Sequence, residues 1–344
     1  MKKYISVFAA VLMVITACSK TEIPVETPKP VKMTLTASIG ADTKVSYTDE
    51  NNGLKTSWEQ YDKVSLLAVD VSGNLISNDI FTATSAGNTV EFDGEFTNDP
   101  ATAAVYVYYP ALAQGDGSDG TPYAVYPPDT YNDNGVLYGV KKGGPYLSFD
   151  TGYQLQNANA STSHLAQYAV MSGKADFDAL SVGNMSVILK HRSYVVKATL
   201  KLPATGLIVY SAKMDFNLQS PSVGVGGFGW TYINETDQFP GNSRANTLKT
   251  LLGADIVSGN GTGVTLESDE LVVYFQAYAA EFWSVEADSY LWTKIKAGDK
   301  VSVEVKAQDG TYVCKDIEFT KETLLENGKM YRTSATLELA VPED

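Results

Sequence analysis

The residues in this chain that could do chemistry are few, and their spacing matches no catalytic motif. There are two histidines, His164 and His191, and neither lies in the HExxH spacing of zinc hydrolases. No GxSxG elbow is present, although a catalytic triad is assembled in space and its spacing alone does not exclude one. We therefore expect no catalytic residue, no metal site and no cofactor.

Two glycine-rich stretches resemble ligand loops and are better explained otherwise. Residues 224–229 satisfy GxGxxG, but the strand-like Trp230-Thr231-Tyr232-Ile233 follows, where a dinucleotide site needs a helix. Residues 115–120 carry two aspartates that suggest calcium, yet they lack the distal glutamate and the spacing of an EF-hand. A flexible loop or bulge and a solvated loop are the preferred interpretations.

Aromatic residues cluster twice, and the sequence leaves their role open. Exposed rings near Asn and Asp bind sugars or proteins in some surfaces, whereas rings in a sandwich core only pack. The two clusters are Tyr123, Tyr126, Tyr131, Tyr138, Tyr146 and Tyr153, and then Tyr274, Phe275, Tyr278, Phe282, Trp283, Tyr290 and Trp292.

The first 18 residues predict export and lipid attachment. Lys2 and Lys3 precede an apolar run over residues 5–15, which is too short for a membrane span of about 20 residues. Small residues lead to Cys18, so residues 15–18 are typical of a lipobox with a signal peptide over 1–17. The alternative is an ordinary signal peptide with an incidental cysteine. Once Cys18 carries lipid, Cys314 has no disulfide partner, and its flanks predict a strand.

The charge of the chain excludes one class of partner. The formal net charge is −14, and removal of the two basic residues near the start makes the exported chain still more acidic. Binding of nucleic acid needs clustered Lys and Arg, so we expect no nucleic-acid partner.

The elements that must position any site are strands. Apolar residues alternate with polar ones from residue 31 onward and again at the C-terminus, which is period two and typical of half-buried strands. We expect further strands at residues 63–70, 79–83, 89–96, 103–109, 168–174, 186–191, 194–202, 207–218, 270–275, 300–306 and 311–319, and a helical turn at 321–326. The first alternating face is Val31, Met33, Leu35, Ala37 and Ile39, and the last is Tyr331, Thr333, Ala335, Leu337, Leu339 and Val341. With no helical crossovers between the strands, the pattern favours an all-β fold with sandwich domains.

Composition divides the chain into segments. Residues 18–30 are rich in proline and polar residues, so they are predicted to form an extended tether. We place an N-terminal β-sandwich domain at 31–180, in which residues 114–160 form long surface connections with one or two short strands, and a C-terminal β-sandwich domain at 181–344.

Several short motifs together resemble those of the fimbrillin (Mfa-like and FimA-like) lipoproteins of Bacteroides and Porphyromonas relatives. They are the lipobox, the first strand with Thr43-Lys44-Val45-Ser46, and Trp58-Glu59-Gln60-Tyr61-Asp62-Lys63-Val64. Leu189-Lys190-His191-Arg192-Ser193-Tyr194-Val195 and Asn327-Gly328-Lys329-Met330-Tyr331 complete the set. The chain departs from the family at Tyr61, where relatives usually have Gly, and at Lys44, where they commonly have Arg.

The resemblance implies two transthyretin-like Greek-key β-sandwich domains in tandem and assembly into a type V pilus. It also implies that Cys18 anchors the lipoprotein in the outer membrane and that a protease then removes the first strand. The vacated groove would accept the C-terminal strand of another fimbrial subunit, a recognition mode that backbone pairing and apolar burial favour. The candidate cleavage site is Lys44, the displaced face is Val31 to Ile39, and the donor face is Tyr331 to Val341.

Two alternatives stay open at this point. Lys44 is otherwise an exposed turn residue, with the first strand kept in place. The chain is otherwise a non-polymerising surface lipoprotein, or a pilus tip or accessory adhesin that binds a glycan, a host protein or a bacterial surface ligand.

Overall fold

The computed structural model describes a β-rich chain. It describes residues 29–39, 48–50, 53–55, 57–72, 75–109, 111, 122–126, 136–141, 144–149, 154–165, 169–177, 183–218, 229–232, 246–257, 259–277, 281–284, 289–292 and 294–341. Only the backbone is described in the strands of 48–55, 122–149, 229–232 and 281–292. No helix within these ranges has the length and apolar character that a membrane span requires.

The strands of the first half run in chain order from β1 to β13. They are β1 (Lys29–Ile39), β2 (Thr48–Glu50), β3 (Gly53–Lys55), β4 (Lys63–Val69), β5 (Leu75–Ala83), β6 (Thr89–Asn98), β7 (Ala104–Tyr109), β8 (Pro122–Tyr126), β9 (Val136–Lys141), β10 (Gly144–Phe149), β11 (Gln154–Gln156), β12 (Met171–Lys174) and β13 (Asn184–His191).

The strands of the second half run from β14 to β29. They are β14 (Tyr194–Lys201), β15 (Ile208–Asn217), β16 (Gly229–Tyr232), β17 (Thr247–Leu252), β18 (Ile256–Val257), β19 (Asn260–Gly261), β20 (Val264–Thr265), β21 (Glu270–Ala277), β22 (Glu281–Ser284), β23 (Ser289–Trp292), β24 (Lys294–Ile295), β25 (Lys300–Ala307), β26 (Gly310–Glu318), β27 (Thr323–Leu324), β28 (Met330–Thr336) and β29 (Glu338–Leu339).

A closed barrel surrounds the first hydrophobic core. Its order is β1-β13-β12-β7-β4-β5-β6, and β6 pairs with β1 to close it. Every contact between neighbours is antiparallel except β1 with β13, which is parallel. The sheet closes because β1 pairs along both edges, so that neither edge of the sheet is left open there.

Two sheets enclose the second hydrophobic core. One has the order β11-β17-β15-β25-β26-β29, with β20 also paired to β15, and the other is β21-β14-β28. The core between them contains Val209, Leu248, Phe275 and Val303, all nearly or fully buried, and the packing is that of a sandwich. β14 and β28 are parallel, whereas β14 and β21 are antiparallel.

The β21-β14-β28 sheet belongs to both cores. Val195 and Tyr274 pack into the first core, while their neighbours Val196 and Phe275 pack into the second. Successive side chains of a strand point to opposite faces, so a strand with apolar residues on both faces can bridge two cores. The two cores are therefore joined by packing on one shared sheet.

The connection between β13 and β14 is short and buried. It consists of Arg192 and Ser193, which are 7% and 3% exposed. The Arg192 Nε donates a hydrogen bond to the Ser172 Oγ at 2.6 Å, and the Gln276 Nε2 donates one to the Ser193 Oγ at 2.7 Å. Because these buried polar groups are satisfied, the chain passes from one core to the other without a loop.

The all-β prediction is confirmed, and most predicted strands lie within three residues of the observed bounds. Cys314 lies in β26 as expected and is a free thiol. The helical turn predicted at 321–326 is wrong, because Thr323–Leu324 form β27 paired with β24. The division of the chain at residue 180 stays a prediction; β13, just beyond it, contributes Met185, Val187 and Leu189 to the first core.

Candidate assembly surfaces

The first strand fills a slot in the barrel. β1 pairs with β6 from Lys29 to Ser38 and with β13 from Thr34 to Ile39. Its inward residues Met33, Leu35 and Ala37 are 4%, 0% and 0% exposed. The sequence-predicted face therefore points into the core, with Ile39 and Val31 half-buried at its ends.

The walls of the slot are apolar. Phe92 and Phe96 on β6 and Val187 and Leu189 on β13 belong to the same core as Leu35. If β1 left, these side chains and the facing edges of β6 and β13 would meet water. The vacated slot would present an apolar floor with two rows of unpaired backbone groups.

Two predicted processing residues, Cys18 and Lys44, lie outside the described residues, as do all but the last two residues of the predicted tether. The structure describes the chain on both sides of residues 40–47: β1 ends at Ile39 and the next strand begins at Thr48.

The C-terminal strand is split between two environments. Tyr331 and Ala335 pack against the second core from β28, and Leu337 is 1% exposed within it. Beyond Leu337, the side chains of Leu339 and Val341 are 53% and 83% exposed. Thr333, which lies between Tyr331 and Ala335 on the same face of β28, is half-buried.

Tyr331 holds β28 in place through both its ring and its hydroxyl group. Its ring lies 5.8 Å from the Tyr194 ring in an edge-to-face arrangement. The hydroxyl donates to the Leu324 carbonyl at 2.7 Å and accepts from the Glu326 N–H at 2.8 Å. Residues Tyr331 to Leu337 are thus part of their own subunit, and residues from Glu338 onward are less embedded.

The Trp58 motif packs inside the barrel, against one wall of the slot. Trp58 is fully buried, with its ring 5.0 Å from Phe92 and 5.4 Å from Tyr109 in edge-to-face contacts. Asp62 accepts a hydrogen bond from the Glu59 N–H at 2.8 Å. Burial, with a smaller effect of the nearby Glu59 charge, raises the pKa of Asp62 to about 6. Tyr61 has φ of 74° in this turn.

Both histidines are buried within the fold. His164 is 2% exposed, its Nε2 lies 3.3 Å from the Tyr274 carbonyl, and burial lowers its pKa to about 4. It is therefore neutral at neutral pH. His191 is 6% exposed at the end of β13. Within the described residues no group of three or more His, Cys, Asp or Glu side chains could hold a metal ion.

Two members of the aromatic clusters have described side chains. Tyr274 and Phe275 are buried, one in each core. The side chains of the other members lie outside the described residues, as do residues 115–120 and 224–228.

Comparison with known proteins gave structural matches alone. No family model and no curated protein matches the chain. A proposed cell adhesion protein from Bacteroides ovatus is 12% identical with a TM-score of 0.44, over 92% of this chain and 100% of that one. A fimbrial protein from Bacteroides ovatus is 15% identical with a TM-score of 0.31, over 92% and 52% of the two chains. A fimbrial assembly protein from Parabacteroides distasonis is 13% identical with a TM-score of 0.33, over 89% and 91%.

These neighbours are cell adhesion and fimbrial proteins, the class of protein that the sequence motifs resemble.

Proposed function

We propose that this chain is a structural subunit of a cell-surface fimbria, exported and anchored in the outer membrane through Cys18. Its first strand is removed by cleavage after Lys44, and the barrel slot then accepts a strand from another fimbrial subunit. In this proposal the chain is not an enzyme, and its role is adhesion at the cell surface.

The observation that carries this proposal is the place of β1. It is the first described strand of the chain, it closes the barrel alone, and it buries Met33 and Leu35 in the core. Each of these two side chains stabilises the bound strand by about 1.5–3 kcal/mol, and each ladder hydrogen bond adds about 0.5–1.5 kcal/mol. A replacement strand with the same alternation of apolar and polar residues would recover both the apolar burial and the ladder hydrogen bonds.

The C-terminal strand limits what this subunit can donate. A donor that included Tyr331 to Leu337 would have to leave β14 and withdraw Leu337 from the second core. The apolar residues already exposed there are Leu339 and Val341. Donation in this proposal therefore begins with the segment from Glu338 onward, which must first leave the short pairing of β29 with β26.

A second candidate function follows from the same observation. A subunit that accepts a strand but keeps its own last strand folded would occupy one end of a filament, as a tip or accessory adhesin. Its ligand would be a glycan, a host protein or a bacterial surface component.

Processing is tested by expression of Lys44→Ala in the natural host, with Lys63→Ala, an exposed lysine at the start of β4, as the matched control. N-terminal sequencing and electron microscopy of shed surface material give the readout. We expect wild type and the control to begin at Val45 and to form filaments, and Lys44→Ala to stay uncut and monomeric. Wild-type chain in filaments that still begins at Cys18 would refute strand removal.

Donation is tested with the double variant Leu339→Ser and Val341→Ser, with Val71→Ser, 91% exposed, as the control. The monomer should keep its stability because both side chains are exposed. Loss of filaments in the double variant alone supports the stalk subunit. Normal incorporation of the double variant at filament ends supports the tip subunit.

A further inference from the structure

The outer edge of β21 is covered by side chains, not by a strand. β21 pairs with β14 on one side, and within the described residues no strand pairs with it on the other. An edge of this kind presents a row of N–H and C=O groups, which is a template for strand addition. Here three amide side chains from residues 154–159 lie along that row.

Three of the four outward N–H groups of β21 are satisfied by amide oxygens, and the fourth, that of Glu270, donates to the Ser268 Oγ at 3.3 Å. The Val272 N–H donates to the Asn159 Oδ1 at 2.8 Å, and the Tyr274 N–H donates to the Gln156 Oε1 at 3.0 Å. The Gln276 N–H donates to the Gln154 Oε1 at 2.8 Å.

Three of the carbonyl groups on this side accept from the same amides, and the Val272 carbonyl also accepts from the Ala160 N–H at 3.1 Å. The Asn159 Nδ2 donates to the Glu270 carbonyl at 3.0 Å, the Gln156 Nε2 donates to the Val272 carbonyl at 2.9 Å, and the Gln154 Nε2 donates to the Gln276 carbonyl. The remaining carbonyl, that of Tyr274, accepts from the Thr250 Oγ1 at 3.0 Å and contacts His164. A side-chain amide carries the same donor and acceptor as a peptide group, so the row of amides imitates a neighbouring strand.

The amides reach this edge because β11 lies at the rim of the facing sheet. β11 runs parallel to β17, and side chains two residues apart on a strand share a face. Gln154 and Gln156 are 1% and 0% exposed, a burial that amides tolerate only when they are hydrogen-bonded. The resulting closure joins the two sheets of the second core along one side.

We propose that Gln154, Gln156 and Asn159 close the β21 edge against strand addition and thereby confine strand exchange between subunits to the slot of β1. The role in exchange rests on the proposed fimbrial function. The closure of the β21 edge does not rest on that function, because an exposed edge would pair with a second copy of this chain whether or not fimbriae form.

The test uses the purified full chain with Gln154→Met and Gln156→Met together. Methionine is unbranched and close to glutamine in size, so it fills the space while it removes the hydrogen bonds. Gln308→Met, at an exposed position, is the matched control. Light scattering after gel filtration measures the mass, and amide hydrogen exchange follows Val272, Tyr274 and Gln276.

We expect the double variant to shift from monomer to dimer and larger species as concentration rises, while wild type and Gln308→Met stay monomeric. At low concentration the Tyr274 and Gln276 amides should lose their exchange protection, while the Val272 amide keeps its bond to Asn159. Association should restore the protection of the two amides that lost it. A double variant that loses this protection and stays monomeric at every concentration would overturn the proposal. Should the double variant not fold, Asn159→Ala alone unpairs the Val272 end of the edge, and the same two outcomes apply to it.

The two proposals fail separately. If wild type forms no fimbriae but the variant dimerises through β21, the closure stands and the fimbrial function falls. If wild type polymerises and the folded variant shows no association through β21, the fimbrial function stands and the closure falls.

Discussion

The place of Leu35 in the barrel makes a quantitative prediction about β1. Its side chain is fully buried among the apolar walls of the slot. Leu→Ala at a buried site removes transfer free energy and leaves a cavity, and such changes reduce the free energy of unfolding by about 2–5 kcal/mol. We expect Leu35→Ala to lie in this range in the uncleaved full chain, measured by urea unfolding at pH 7.5 with a tryptophan fluorescence readout.

The neighbouring residue supplies the control. Thr36 is half-buried and points to the opposite side of β1 from Leu35, so Thr36→Ala should change the free energy of unfolding by about 0.5 kcal/mol or less. Both variants keep the same backbone pairing with β6 and β13. Equal and small effects of the two substitutions would mean that β1 does not occupy the slot, and the strand-removal proposal would lose its structural basis.

Three further predictions concern the remaining structure. Tyr61→Gly should raise the free energy of unfolding by about 0.5–1 kcal/mol, because Tyr61 has φ of 74° and is 71% exposed; a lower denaturation midpoint would contradict this. Gly173→Ala should lower it by about 1–3 kcal/mol, since the new Cβ would lie 2.4 Å from the Ile188 carbonyl oxygen, whereas Gly183→Ala meets nothing within 4 Å and is the control in the same assay. The pKa of His164 is about 4 in the folded chain and about 6.5 in the unfolded chain, so its contribution to stability is present above pH 6.5 and is lost as pH falls toward 4. Between pH 7.5 and 5 the free energy of unfolding should fall by about 2 kcal/mol more in wild type than in His164→Gln. Equal decreases in the two proteins would refute the assignment.

The alternation of residues 31–39 was sufficient to predict both the first strand and its buried face. Met33, Leu35 and Ala37 face inward as the period-two pattern requires, because a strand with one wet side must sort its residues by polarity. The position of this strand, parallel to β13, was not predictable from local pattern. Such pairing depends on contacts between residues about 150 positions apart, which leave no mark on periodicity.

Two other predictions from the sequence differ from the structure for identifiable reasons. The segment containing Gln154, Gln156 and Asn159 is predicted as a surface connection with one or two short strands, because it is polar and lies in a turn-rich region. A short strand, β11, is present there, but Gln154 and Gln156 are buried. The spacing of Gln154 and Gln156, two residues apart, is the one local signal of a strand with a polar inward face. The residues around 321–326 have ordinary helix formers, yet tertiary pairing with β24 makes β27 of them.

The short buried joint at Arg192 and Ser193 has a mechanical consequence. β1 pairs with β13 from Thr34 to Ile39, the joint leads directly into β14, and β14 pairs with β28 along nearly its whole length. Tension applied between β1 and β28 would therefore be borne first by the β1–β13 pair and then by the β14–β28 pair. It would pull the paired strands along their own axes, where many hydrogen bonds must break together. A molecule built in this way resists stretching without a disulfide.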